Sequence, residues 1–223
     1  MKQRLMSVMF VFLAASLFAQ EIVTAERYLA MVSERYSGIQ DYEARIAIRS
    51  GSTDLVGTVS HLEPSLLRID FTRPASQVIV FNGQSLMIYL PEYRAVMTQD
   101  VSGGMSGASL ASAQGLSKLR QNYVAAYVTG PEKQALESGS SEQVVKLRLT
   151  RRSNSENFRE IILNINPETR LIRRIEGRTS TDMLVRFDFT DIKINQGFSD
   201  QRFVYDAPAT ANMYNNFLFR DTD

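Results

Sequence analysis

Residues 57–91 constrain the fold more than any other part of the chain. They contain three runs of mostly apolar residues, 66–72, 77–81 and 85–90, which are separated by turn residues. An Asn82-Gly83 pair lies between the second and third runs and is typical of a tight hairpin turn. We therefore predict a meander of antiparallel strands over this stretch.

The predicted meander is apolar on both faces. Residues 78–81 read Val-Ile-Val-Phe and residues 86–89 read Leu-Met-Ile-Tyr, without the polar alternation of a strand that has one solvated face. Such a sheet must be covered on both faces, or it must hold something apolar.

The composition excludes several classes of protein. The 223 residues include 25 Lys and Arg against 24 Asp and Glu, so the charges nearly balance and nothing indicates disorder or a nucleic-acid partner. Cysteine is absent, which excludes disulfides, thiolate metal sites and a cysteine nucleophile. Because His61 is the only histidine, a metal cluster built on several histidines is impossible. We expect no cofactor and no bound metal.

The N-terminus has the pattern of a secretory signal. Lys2 and Arg4 precede an apolar run over residues 5–18, and the small residue Ala19 follows. The run of roughly 14 residues is shorter than the ~18 that a membrane-spanning helix needs. We predict a signal over residues 1–19 that is cleaved after about Ala19; an uncleaved membrane anchor is the alternative. Export without cysteine fits a bacterial periplasm.

The rest of the chain predicts one α+β domain over residues 20–223. Two amphipathic helices, over residues 24–37 (with Thr24 as the cap) and 116–127, accompany about ten or eleven antiparallel strands. These strands include residues 143–151 and 158–165 and a last short strand at 203–205. We also predict a bulge near Asp191.

The connections and the helices suggest how the sheet is completed. A mobile Gly- and Ser-rich loop is predicted at residues 101–115. The simplest arrangement is an incomplete, strongly curved β-barrel whose open side is covered by the helices. Periodicity does not decide between a dry interior and a cavity.

Several turn and strand motifs of the meander recur together in a known family. They are Gly57, Glu63-Pro64-Ser65-Leu66-Leu67, Arg73-Pro74, Asn82-Gly83 and Leu86-Met87-Ile88-Tyr89-Leu90-Pro91. This pattern resembles the periplasmic carrier of outer-membrane lipoproteins, the LolA type. The resemblance continues weakly through residues 164–171 and 191–206.

The resemblance implies an unclosed β-barrel with a helical lid over an apolar cavity. It also implies a carrier that shields the acyl chains of lipidated outer-membrane lipoproteins and ferries them from the inner to the outer membrane. The implied partners are these lipoproteins, an inner-membrane ATP-driven lipoprotein-releasing complex and an outer-membrane acceptor. We expect a monomer that binds no nucleic acid.

Candidate site residues follow from the apolar strands and the second helix. The candidate acyl cavity consists of Leu67, Ile69, Phe71, Val78, Val80, Met87 and Tyr89. Candidate lid contacts are Leu116, Leu119 and Tyr123. For both sets the alternative is ordinary core packing.

Glu63 is the candidate residue for control of cargo release. The corner residue before the proline is usually basic in the family and tethers the lid, so Glu63 departs from the pattern. It can pair with Lys118 or Arg120 of the lid, or it can be a solvated turn carboxylate. Ile69 and Met87 stand where the family has cavity tryptophans, so the cargo can differ too.

An enzymatic function is not expected. His61 lies near Ser60, Glu63 and Ser65 in sequence, but the chain has no nucleophile elbow, phosphate loop or dinucleotide fingerprint. Two alternatives to a lipoprotein carrier remain: a carrier of other envelope lipids, and a module of the same fold that senses lipid or lipoprotein.

Overall fold

The computed structural model describes residues 23–100 and 108–216. The predicted signal, residues 1–19, and the first part of the predicted loop, residues 101–107, lie outside the described residues. The helices are α1 (Ala25–Ser37) and α2 (Ala113–Asn122). The strands are β1 (Asp41–Ser50), β2 (Thr53–Leu62), β3 (Leu66–Arg73), β4 (Ala75–Phe81), β5 (Ser85–Leu90), β6 (Ala95–Asp100), β7 (Tyr123–Tyr127), β8 (Gln134–Ala135), β9 (Gln143–Arg151), β10 (Phe158–Ile165), β11 (Ile172–Thr179), β12 (Leu184–Ile194) and β13 (Asn212–Asn215).

The strands form one large, curved and unclosed sheet. Their order is β13-β6-β5-β4-β3-β2-β1-β12-β11-β10-β9-β7, and β8 also pairs with β9. All pairs are antiparallel except β13 with β6. The predicted incomplete barrel with two helices is confirmed, with 13 strands in the described residues rather than ten or eleven. Within those residues, neither helix is long and apolar enough to cross a membrane.

Helix α1 fills the concave side of the sheet, which we call the inner face. Its N-terminus is capped as predicted, because the Thr24 hydroxyl accepts a hydrogen bond from the backbone N–H of Arg27 at 3.2 Å. Leu29, Val32 and Tyr36 are buried along one stripe of the helix. The Tyr36 hydroxyl accepts a hydrogen bond from the N–H of Ile172 at 3.0 Å, which ties α1 to β11.

Helix α2 is shorter than predicted and starts earlier. The Ser112 hydroxyl caps its first turn by accepting a hydrogen bond from the N–H of Gly115 at 3.0 Å. The helix therefore begins at Ala113 rather than at residue 116. The predicted helix over residues 116–127 is wrong in its second half. Tyr123–Tyr127 is strand β7, whose backbone pairs with β9 from Tyr123 opposite Arg151 onward. Pairing with a distant strand has overridden the local helical spacing.

A one-residue bulge in β4 decides which side chains of β4 and β5 face inward. Asp70 pairs with Val78 but Thr72 pairs with Ala75, so β4 carries one extra residue, and Ser76 has φ +63°. A register shift of one residue exchanges the two faces of a strand. Val78 therefore lies on the outer face, while the neighbouring odd-numbered positions of β4 face the core.

The turn after β4 differs in detail from the prediction. Gly83, with φ +94°, is the residue of the Asn82-Gly83 pair that takes a left-handed backbone. The N–H of Asn82 donates to the carbonyl of Ser85 at 3.2 Å, so the two-residue turn is Gly83-Gln84. This type of hairpin turn needs glycine only at its first central position.

The segment after β12 lies across the outer face and replaces the predicted strand at residues 203–205. The Asp41 carboxylate accepts backbone N–H bonds from residues 196, 197 and 198 at 2.6 to 3.2 Å. Asp200–Phe203 forms a 3₁₀ turn, and β13 follows. The Arg68 guanidinium donates to the carbonyls of Arg202 and Val204 at 3.0 and 3.3 Å. The predicted bulge near Asp191 is confirmed by φ +52° and a register shift.

Candidate functional site

A cavity of about 420 Å³ lies between α2 and the inner face of the sheet. Its size falls within the range of small-ligand sites in proteins, about 300 to 1,000 Å³. The side chains around it come from the ends of β2, β3 and β4, from α2, and from the start of β10. They are His61, Pro64, Ser65, Leu67, Phe81, Leu110, Ser112, Gln114, Gly115, Lys118, Leu119, Gln121, Asn122, Tyr123, Glu156, Asn157, Phe158 and Ile161.

The deep wall of the cavity is mostly apolar. Leu67 and Phe81 lie opposite each other on paired strands β3 and β4 and are buried. Ile161 of β10 and Leu119 of α2 are also buried and close the wall from the other side. The arrangement can hold a hydrocarbon chain and remove it from water.

The outer rim of the cavity is polar. Gln114, Lys118 and Gln121 of α2 line it and are exposed, as is Asn157 at the end of the β9–β10 hairpin. A site with an apolar wall and a polar rim suits an amphiphile, whose chain lies against the wall and whose polar part reaches water.

The predicted cavity residues of β3 lie on the inner face of the sheet. Leu67 lines the cavity. Ile69 and Phe71 lie on the same face further along the strand, at 1% and 4% exposure, and belong to the packed core with α1. For these two the structure favours the alternative of ordinary core packing.

The predicted cavity residues of β4 and β5 lie on the opposite face. The β4 bulge puts Val78 and Val80 on the outer face, and cross-strand pairing puts Tyr89 and Met87 beside them. None of the four lines the cavity beneath α2. The tail covers this surface instead, with the Tyr205 ring 5.8 Å from the Tyr89 ring.

The three predicted lid contacts are buried. Leu119 and Tyr123 line the cavity, whereas Leu116 packs into the core. Tyr123 belongs to β7 rather than to α2, and its hydroxyl donates to the carbonyl of Phe158 at 3.0 Å across the cavity mouth.

Glu63 contacts the predicted lid helix through the helix backbone. A carboxylate oxygen of Glu63 accepts a hydrogen bond from the N–H of Ala113, the first residue of α2, at 3.4 Å. The Ala113 N–H is the hydrogen-bond partner of the Glu63 side chain in the described part of the chain. Burial raises the pKa of the Glu63 carboxyl, and the Ala113 N–H opposes that shift.

Sequence reasoning missed four of the wall residues: Phe81, Phe158, Ile161 and His61. Phe81 shares the inner face with Leu67 only because of the bulge, which no local pattern reveals. Ile161 follows the same apolar alternation as the core residues of β10. Only the position of α2 makes it a cavity residue rather than an ordinary core residue. The sequence suggests His61 as a catalyst to be tested and gives no sign that it belongs to a cavity wall.

Fold and cavity together define a class of protein: an unclosed antiparallel barrel filled by one helix and covered by a second. The family model of the outer membrane lipoprotein carrier protein LolA matches residues 50–206. The chain belongs to this family. A comparison with curated proteins found no match.

Solved structures with the same fold are distant in sequence. An uncharacterized conserved protein from Thermus thermophilus is 14% identical, with a TM-score of 0.55 over 83% of this chain and 98% of that one. MucB is 16% identical, with a TM-score of 0.53 over 85% of this chain and 65% of that one. A LolA superfamily protein from Nitrosomonas europaea is 13% identical, with a TM-score of 0.43 over 82% of this chain and 98% of that one. At these identities the first two likenesses show the fold alone.

Proposed function

We propose that this protein carries lipoproteins between the inner and outer membranes by shielding their acyl chains in the cavity beneath α2. The observation that carries the proposal is the combination of an apolar wall, a polar rim and a helix that closes the cavity from one side. Family membership supports the same cargo class.

The physical need for such a carrier is large. Each methylene group exposed to water costs about 0.8 kcal/mol, so a lipidated protein cannot cross an aqueous compartment unprotected. The wall formed by Leu67, Phe81, Leu119 and Ile161 offers aliphatic and aromatic surface without fixed charge. Such a surface lets chains of different length lie along it.

Release requires that α2 can move away from the cavity. Two hydrogen bonds of the described residues meet its first turn: one from the Ser112 cap, which lies next to the helix in sequence, and one from Glu63 on the sheet side. We propose that Glu63 acts as a latch on α2. The negative carboxylate at the N-terminus of a helix also interacts favourably with the helix dipole.

The cellular setting belongs to the same proposal. Residues 1–19 act as a cleaved secretory signal, and residues 20–223 act as one domain in the periplasm. Cargo arrives from an inner-membrane ATP-driven lipoprotein-releasing complex and leaves to an outer-membrane acceptor. The protein acts without a cofactor and catalyses no reaction.

The test is transfer of a lipidated peptide into the cavity. A triacylated peptide delivered from detergent should co-elute with the mature protein in gel filtration without detergent, whereas the same peptide without lipid should not. Leu119→Gln, which places a polar group on the cavity wall, should reduce co-elution several-fold. If neither lipidated peptide nor any long-chain lipid co-elutes, the proposal is wrong. Recovery of phospholipid alone would favour a carrier of other envelope lipids.

A further inference from the structure

The only histidine of the chain lies in the wall of this cavity. His61 is near the end of β2, is 2% exposed and lies opposite Leu67 of β3. Its ring stacks on Tyr42 of β1, with ring centroids 5.2 Å apart and planes 18° from parallel. Stacking fixes the ring, so that its edge points in a defined direction.

Among the described residues, no side-chain hydrogen bond to a ring nitrogen of His61 is found, and neither nitrogen is one of the fully enclosed atoms that lack a partner. A ring nitrogen at the cavity surface is therefore available to a bound molecule. The stacked Tyr42 hydroxyl is buried without a partner and does not bond to His61. The histidine is therefore a hydrogen-bonding group placed in an otherwise apolar wall.

The surroundings favour an uncharged ligand group at this position. Burial lowers the pKa of His61 to about 4, so the imidazole is neutral near pH 7 and carries one N–H donor and one acceptor nitrogen. Burial also raises the pKa of nearby Glu63, which shows that this end of the cavity disfavours charge of either sign. A carbonyl oxygen fits the donor, whereas a carboxylate would be desolvated beside Glu63.

The polar remainder of a ligand has a way out from this position. Pro64 and Gln114 also line the cavity and are exposed. They lie beside Glu63 and Ala113, the two residues that join the β2–β3 corner to α2. A chain bound against Leu119 and Ile161 can thus have its carbonyl at His61 and its head group at this corner.

We propose that His61 donates a hydrogen bond to the ester or amide carbonyl at the head of a bound acyl chain, so that the cavity selects acyl over alkyl chains. This inference rests on the proposed function and adds the ligand group that the cavity recognises. His61 is a specificity-determining residue in this role.

A matched pair of lipids tests the proposal. 1-Monopalmitoylglycerol and 1-O-hexadecylglycerol have the same chain length and head group, and only the first has a carbonyl. Displacement of a bound fluorescent probe gives the affinity for each. We expect the wild-type protein to prefer the ester over the ether by about 3- to 10-fold, the worth of one hydrogen bond.

Variants assign the preference to His61. His61→Phe keeps a ring that can stack on Tyr42 and should abolish the preference. His61→Gln keeps an N–H donor and should retain part of it. Phe81→Leu, elsewhere on the wall, should weaken both lipids equally and keep the preference. Thermal unfolding and circular dichroism confirm that each variant is folded.

The outcomes separate this inference from the proposed function. If the wild type binds both lipids equally, or if His61→Phe keeps the ester preference, His61 does not read the carbonyl, although the protein still binds lipid chains. If the wild type binds neither lipid and no lipidated peptide, the proposed function fails and this inference fails with it.

Discussion

The two halves of the sheet, β9 to β12 and β3 to β5, differ in how their apolar side chains are covered. In β9 to β12 the inner face is apolar and the outer face is charged, as in Leu147 and Leu163 inside against Arg174 and Asp188 outside. In the second half, β3 to β5, the strands β4 and β5 are apolar on both faces, and two different structures cover them. The first half is mostly packed core, and both halves contribute to the cavity, through Phe158 and Ile161 of β10 and through Leu67 and Phe81 of β3 and β4.

The outer face of the second half is covered by the tail of the chain rather than by a ligand. Arg68 binds the tail carbonyls and stacks over Tyr205, with its guanidinium carbon 5.7 Å from the ring centroid. Val80 pairs across from Arg68 and is 5% exposed, while Phe203 of the tail is 2% exposed. Excess apolar surface on a strand is thus an indicator of a covering element, and the covering element need not be a ligand.

On the inner face, burial differs between β10 and β5. Leu163 of β10 is 0% exposed, whereas every residue of β5, including Ile88, is only half-buried. We expect this difference to appear in stability.

Leu163→Ala should lower the free energy of unfolding by about 3 kcal/mol, because the packed half cannot relax around the lost side chain. Ile88→Ala should cost about 1 kcal/mol or less, since the side chain is partly exposed already. Urea unfolding of both variants measures the two values. Equal losses would remove the distinction between the packed strand β10 and the loosely covered strand β5.

The pH dependence of stability tests the burial of His61 in the cavity wall. The unfolded chain protonates its histidine near pH 6.5, but folded His61 stays neutral down to about pH 4. The unfolded state thus binds the extra proton between these values, and the free energy of unfolding should fall as pH drops from 6.5 to 4, by at most about 3 kcal/mol. Urea unfolding at several pH values measures this. In His61→Phe, the free energy of unfolding should depend less on pH in this range. An unchanged dependence would mean that carboxyl groups cause it.

The tail contact should be worth less. Arg68→Met removes the donors to the carbonyls of Arg202 and Val204, and we expect a loss of about 1 to 2 kcal/mol and faster proteolysis of the tail. Arg73→Met is the matched control, because the Arg73 side chain is 67% exposed and its ion pair with Asp54 should matter by less than about 0.5 kcal/mol. A tail that is cleaved no faster in Arg68→Met than in Arg73→Met would contradict a clamping role.

The smallest effect on stability is expected at the latch. Glu63→Gln keeps an acceptor for the Ala113 N–H, whereas Glu63→Arg removes it and places a positive charge at the helix N-terminus. Both should change global stability by less than about 1 kcal/mol. Glu63→Arg alone should speed amide hydrogen exchange in α2 by about 2- to 10-fold and speed release of bound lipid. Identical exchange and release in both variants would exclude a latch.

Local patterns predict the elements well where neighbours in sequence decide the structure. β5, β9 and β10 begin and end where the sequence places them, and α1 begins after its Thr24 cap. The segment at residues 123–127 forms a strand rather than the predicted helix, because short apolar runs fit both. There the pairing with β9, distant in sequence, decides the outcome.

Local sequence patterns are enough to predict a curved antiparallel sheet with two amphipathic helices, and two strands that are apolar on both faces, at residues 78–81 and 86–89. Alternation, turn residues and caps depend on residues that are close in sequence, so they can be recognised without knowledge of the fold. Contacts between distant parts of the chain determine which face of these strands meets the cavity and which meets the tail. One extra residue at Ser76 exchanges the faces of β4, and the cavity itself exists only because α2, β3 and β10 meet from distant parts of the chain.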